Sequence, residues 1–291
     1  VGSEMCIRDS KYTLPFSRER LMLVEPGRGC PFKCIFCVVP VINEKVRYRS
    51  AKNFVDELER DYTKYNIKNF LFWMETATLN KKLMLEICEE IKNRNLKIKW
   101  MAPSRVDTVD LELLKKMKEA GCWMLSFGIE SIDQKVLDLI KKKITVQQIE
   151  KAIENAKKVG IKIVAHIIIG LPGQTKESVE KTIDWLIEKK VDYAQFYCAV
   201  PYWGTELRKI AEKNGWIVSN NPKDYEVDKS VMRNEFLSCR EIEELRKKAY
   251  MKFYMRPSVI LKEIWENKFN PQYMLNLIKD GFLFLKEWAK K

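Results

Sequence analysis

At 291 residues the chain is long enough to bury a substantial core, and one (β/α) barrel-type domain can occupy most of it. Its net charge of +13 is spread along the chain, which reads as solvated lysines on helix faces and not as a nucleic-acid groove. No apolar run approaches the length of a bilayer-spanning helix, and the cysteines fit a reducing compartment better than a secreted disulfide framework. A cytoplasmic protein without a signal peptide is expected.

The first ten residues, Val1 to Ser10, fit no element and resemble a translated sequencing-adaptor artefact. Residues 1–20 are therefore expected to be a disordered or artefactual segment, with the true N-terminus and any upstream domain lying outside the chain. From Leu21 short apolar runs alternate with longer helical periods. Strands are predicted at 21–25, 69–74, 97–102, 122–128, 161–168 and 193–198, with helices at 51–65, 81–94, 111–120, 145–159 and 176–189. Ser50, Asn80, Thr145 (with Gln148 three residues on) and Thr175 are apt helix N-caps, and Gly121 and Gly160 stand where helices should stop. Six strand–helix units without a nucleotide-type reversal favour an α/β fold with a parallel, barrel-like sheet. After Trp216 the periodicity changes: residues 220–224 are turn-like, and helices rich in Lys, Arg and aromatics follow from Arg240, the last at about 271–288. These read as a cap on the barrel; substrate binding or loose docking to a membrane surface are the sharper alternatives.

The densest chemistry lies in Gly27-Arg28-Gly29-Cys30-Pro31-Phe32-Lys33-Cys34-Ile35-Phe36-Cys37. Thiolates are soft ligands that select iron–sulfur clusters, zinc or copper(I), and a tight loop can gather three of them. Three cysteines on a four-iron cubane leave one iron open to a reacting molecule, whereas structural metal sites are closed by four protein ligands. A zinc site is the alternative, but it wants a fourth Cys or His, and none is close in sequence.

This spacing, with Phe36 before the last cysteine, resembles the signature of the radical S-adenosylmethionine (SAM) enzymes. The resemblance continues through Glu75-Thr76-Ala77-Thr78, Ser126-Phe127-Gly128-Ile129-Glu130-Ser131, Gly170-Leu171-Pro172-Gly173-Gln174-Thr175 and Pro201-Tyr202-Trp203-Gly204-Thr205. It is greatest to the branch that usually carries an N-terminal cobalamin-binding domain, which includes magnesium-protoporphyrin ester cyclase-like proteins and radical SAM methylases. It implies a partial (β/α)6 TIM-like barrel over 21–218, with 219–291 as the C-terminal helical cap. It also implies a [4Fe-4S] cluster on Cys30, Cys34 and Cys37, and SAM cleaved reductively to a 5′-deoxyadenosyl radical for methylation or cyclisation. Cobalamin dependence follows from relatives alone. A small-molecule substrate and a low-potential electron donor of flavodoxin or ferredoxin type are the implied partners, with no nucleic acid. The nearest enzymatic rival is a tRNA methylthiotransferase, which would want three further cysteines before the barrel and a basic β-barrel after it. A zinc-stabilised, non-catalytic interaction module is the rival from another class.

The same resemblance distributes the SAM contacts. Phe36 would lie near adenine, and Glu75 would meet the ammonium, although Met74-Glu75-Thr76 replaces two glycines and a glutamate. Arg105 could grip the SAM carboxylate bidentately or else pair with Asp107. Glu130 suits ribose hydroxyls or the ammonium. His166, the sole histidine, is either a ribose contact or a core residue. Gly170 would bring backbone close to adenine or serve a tight turn. Cys88, Cys122 and Cys239 read as small buried hydrophobes, while Cys198 could present a thiol to the cavity, with Tyr197 and Tyr202 on the same rim.

Overall fold

The computed structural model describes residues 19–43 and 45–257, together with Thr13 and single positions out to Lys279. The expected artefactual segment and the expected helix at 271–288 fall almost wholly outside those residues. Strands β1 (Leu21–Val24), β4 (Asn69–Phe72), β5 (Lys99–Ser104), β6 (Cys122–Glu130), β7 (Lys162–Ile169) and β8 (Tyr193–Cys198) form one sheet in the order β1-β4-β5-β6-β7-β8. Every neighbouring pair in it is parallel. A short antiparallel ribbon, β2 (Gly27–Arg28) with β3 (Arg47–Tyr48), clamps the base of the cysteine loop. The sheet is the expected partial barrel, with β1 and β8 as its two margins.

The crossovers are helices: α1 (Val39–Ile42), α2 (Ala51–Tyr65), α3 (Lys81–Asn93), α4 (Leu111–Glu119), α5 (Gln134–Leu139), α6 (Val146–Lys158) and α7 (Lys176–Glu188), while α8 (Glu206–Lys213) follows the last strand. The caps act as read: Ser50, Asn80 and Thr175 each accept from the backbone N–H three residues on, and Thr145 and Gln148 form a reciprocal capping box. The helix-facing side of the sheet makes the core. Phe72 stacks on Trp100 at 4.3 Å and meets Phe54 edge-on at 4.9 Å, and the Trp100 indole N–H donates to Ala120 O at 2.8 Å.

The opposite, inward side is only half-buried. Leu23, Met101, Pro103, Ser126, Gly128, His166, Ile168 and Tyr197 keep solvent access, whereas their strand neighbours Val24, Ala102, Phe127, Ile167 and Phe196 have essentially none. This period-two alternation divides a lumen from a core.

Helix α9 (Cys239–Tyr254) lies along β8 and treats that margin as a partner strand would. Tyr254 Oη accepts from Ala194 N–H at 2.9 Å and donates to Ala194 O at 2.7 Å; Tyr250 Oη accepts from Phe196 N–H, and Arg246 Nε donates to Phe196 O. Unpaired edge groups are thus satisfied by side chains. Among the described residues after Trp216, it is helix α9 that covers the sheet margin at β8.

Candidate active site

The cysteine loop, Glu75, Arg105, Glu130 and His166 meet toward the carboxyl ends of the strands, where (β/α) barrels keep their chemistry. Cys30, Phe32, Cys34, Phe36, Cys37, Glu75, Arg105, Glu130, Lys142, His166 and Tyr197 line one cavity of about 310 Å³. The cysteine loop is pinned from several directions. Ile35, buried between two of the cysteines, donates its N–H to Ile140 O at 3.1 Å and accepts from Leu207 N–H at 2.8 Å. Gly29 donates its N–H to Glu75 Oε2 at 2.8 Å. It has φ +94°, and a Cβ there would sit 2.7 Å from Lys45 O, so the loop's entry needs glycine.

None of the three cysteines is in a disulfide. Cys30 Sγ lies 3.8 Å from Thr76 Oγ1, and Cys34 Sγ lies 4.0 Å from Arg105 Nη1. Burial pushes the Cys34 thiol up, opposed by the nearby Lys142 and Arg105 cations, and burial pushes Cys37 up to about 11. Ligation must therefore displace protons from both thiols. Among the described residues no three of His, Cys, Asp or Glu converge on one point as a mononuclear ion requires. A cubane asks for less convergence, since each thiolate takes its own iron. Three soft donors on one cavity, sheltered by Phe32 and Phe36, suit an iron–sulfur cluster.

Glu130 closes β6 in the left-handed region, φ +64°, at a register shift where the ladder to β7 gains a residue. Its Oε1 accepts from Lys142 Nζ at 2.8 Å, and both side chains are 7% exposed. Gly128 makes room for this pair: a Cβ there would stand 2.7 Å from Glu130 Oε1 and 2.8 Å from Lys142 Nζ. Lys142 also faces the Phe36 ring, its Nζ 5.8 Å from the centroid.

Lys142 escaped the sequence reading because it sits inside Lys141-Lys142-Lys143, which looks like a solvated run. The signal was present as alternation: Ile140, Lys142 and Ile144 are buried, while Lys141 and Lys143 are exposed.

Several expectations need correcting. Arg105 is buried in the cavity wall, but its fork is already occupied: Nε and Nη2 donate to the two oxygens of Asp107 at 2.9 and 3.0 Å, and Nη2 also donates to Lys142 O. Its guanidinium lies 3.6 Å from the Phe32 ring centroid. It braces the loop carrying Lys142 and is not open for a bidentate grip on a ligand. Cys198 faces away from the cavity, because strand parity gives the lumen to Tyr197 and turns Cys198 to the core; burial pushes its thiol up to about 12. Gly170 is outside the cavity lining as well. It has φ +95°, and a Cβ would meet Ile242 of α9 at 2.7 Å, so it serves helix packing and the turn. His166 is in the lumen wall as a potential contact, its pKa lowered by burial, with Tyr197 Oη 3.1 Å from Nδ1.

Residues 24–186 match the family model described as the radical SAM superfamily. The chain belongs to the radical SAM superfamily of enzymes. Among curated relatives, an uncharacterised methyltransferase of Pyrococcus horikoshii is 39% identical over 246 residues, 84% of this chain and 54% of that protein. The anaerobic magnesium-protoporphyrin IX monomethyl ester cyclase of Cereibacter sphaeroides is 30% identical, over 89% of this chain and 43% of its own length. The chain thus spans about half the length of these relatives. The radical SAM fold also recurs in the methyltransferase TsrM of Kitasatospora setae, solved with cobalamin and a [4Fe-4S] cluster. Its TM-score is 0.62 at 19% identity, over 79% of this chain and 47% of TsrM. Among the described residues no helix is long and apolar enough to cross a membrane.

Proposed function

We propose that residues 21–218 form a radical SAM core, capped by 219–291, in which Cys30, Cys34 and Cys37 hold a [4Fe-4S] cluster. When bound, cluster and SAM together supply a one-electron cleavage of the sulfonium, for methylation or cyclisation of an organic substrate. The reading rests above all on one observation: the three cysteines, the buried Glu130–Lys142 pair and His166 line a single cavity at the carboxyl ends of the strands.

Within that cavity Lys142 supplies the ammonium that meets the SAM carboxylate, the part first assigned to Arg105. Glu75 and Glu130 face the SAM ammonium, and Phe36 offers an aromatic face to adenine. Glu75 also orders the cysteine loop through Gly29 N–H. The apolar and aromatic walls keep water from the reacting centre. Cobalamin, supplied from outside the stretch matched here, is favoured by the likeness in fold to TsrM, which was solved with cobalamin and a [4Fe-4S] cluster bound. A low-potential flavodoxin or ferredoxin type of donor in a reducing, cytoplasmic setting, together with a small-molecule substrate, completes the proposal.

Anaerobic reconstitution tests it. Iron and acid-labile sulfide should be recovered in equal amounts, and SAM should alter the electron paramagnetic resonance signal of the reduced protein. Cys30→Ala should abolish both. Recovery of one zinc and no labile sulfide would sink the proposal in favour of an interaction module.

A further inference from the structure

His166 is the only histidine in the chain, and the sheet holds it against two lumen neighbours on β8. In the parallel register His166 stands opposite Gln195, and Ile168 opposite Tyr197. The Tyr197 ring therefore reaches His166 diagonally, stacked at 5.7 Å between centroids and 8° between planes. Tyr197 Oη donates to Gln195 Oε1 and lies 3.1 Å from His166 Nδ1.

A phenol has one proton. With that proton committed to Gln195, Tyr197 Oη can offer His166 only a lone pair, so the contact requires a hydrogen on Nδ1. Burial holds the imidazole neutral, its pKa lowered by desolvation, and a neutral ring carries a single N–H. The remaining nitrogen is then a bare acceptor on a residue that lines the cavity.

We infer that Tyr197, steered by Gln195, is a positioning residue that fixes His166 as its Nδ1–H tautomer and thereby keeps Nε2 as an acceptor for a ligand hydroxyl in the cavity. That this hydroxyl belongs to the SAM ribose rests on the function proposed above; the tautomer does not. In the other tautomer Nε2 would be a donor and would compete with the ligand hydroxyl's own proton. The Tyr197–Gln195 pair thus acts on the ligand only through the imidazole.

The sole histidine gives the test a clean readout. In the full chain, metal-free and labelled with 15N-histidine, proton–nitrogen correlation spectra contain one structured imidazole besides any affinity tag, which is removed. Wild type should show a protonated Nδ1 and a pyridine-like Nε2. Tyr197→Phe removes the acceptor, and the ring should move toward the Nε2–H form that free imidazole side chains favour. Gln195→Met frees the phenol proton to donate to Nδ1 and should shift the tautomer the same way; the Gln195 side chain is exposed, so this variant should keep the fold. An Nε2–H ring in wild type, or spectra unchanged in both variants, overturns the inference. Calorimetric SAM affinity on the reconstituted protein separates the two layers. Both variants should weaken SAM by about 3- to 10-fold, the size of one neutral hydrogen bond. The expected tautomer in a wild type that binds no SAM would leave the inference standing and overturn the ligand assignment.

Discussion

Replacing Lys142 by methionine removes an ammonium whose partner stays behind in a closed place. Glu130 and Lys142 are each 7% exposed, and they touch at 2.8 Å. Truncating one member of such a pair leaves a desolvated charge uncompensated and typically costs about 3–5 kcal/mol, whereas neutralising both members costs far less. Lys142→Met and Glu130→Gln should therefore each be severely destabilising alone. The double variant should be more stable than their sum implies, by a coupling of at least about 1.5 kcal/mol. Urea unfolding of the reduced, metal-free chain, followed by circular dichroism, measures all three. If the two losses add to within about 0.5 kcal/mol, the pair is not coupled and the account of the cavity floor is wrong. The measurement needs no cofactor, so it reads the protein's own electrostatics.

Three further outcomes are expected. Because burial lowers the His166 pKa below its unfolded value near 6.5, the unfolded chain takes up that proton first as pH falls. This contribution is complete above about pH 6.5 and is lost as pH drops through the folded value; His166→Gln should flatten that part of a urea-midpoint profile. Cys198 and Cys88, both pushed up to about 12 by burial, should resist iodoacetamide in the native, metal-free protein at pH 8. Mass spectrometry showing Cys198 alkylated as fast as Cys30 would contradict the strand parity described here. Gly170→Ala should cost about 1–3 kcal/mol, from its positive φ and from the approach of Ile242. Adding Ile242→Ala should leave the φ part of that cost and remove the steric part, as thermal unfolding can show.

Much of the architecture was legible because it is local. The strand runs, the caps at Ser50, Asn80, Thr145 and Thr175, and the cysteine spacing all depend on residues a few positions apart. The misreadings come from long-range packing. Gly170 follows a strand like a ligand loop, yet its neighbour is Ile242, far along the chain on α9. Arg105 carries the right chemistry, but Asp107 and the Lys142 carbonyl claim its donors. Cys198 was judged by nearness to the strand end, when the alternation along Tyr193–Cys198 was the sharper guide. Lys142 was hidden by its two exposed neighbours, and only their alternation with Ile140 and Ile144 marks it as inward.

The tyrosines and arginine that α9 lends to Ala194 and Phe196 let the sheet stop at six strands without inviting another backbone to add itself. A ring of strands closed on itself would admit only what its bore allows. Here the wall is finished by side chains, and the lumen keeps a flank on which Leu23 and Trp73 stand 41% and 50% exposed. The breadth of a guest lying across the cysteine mouth is therefore limited by whatever covers that flank, and not by the circumference of the barrel.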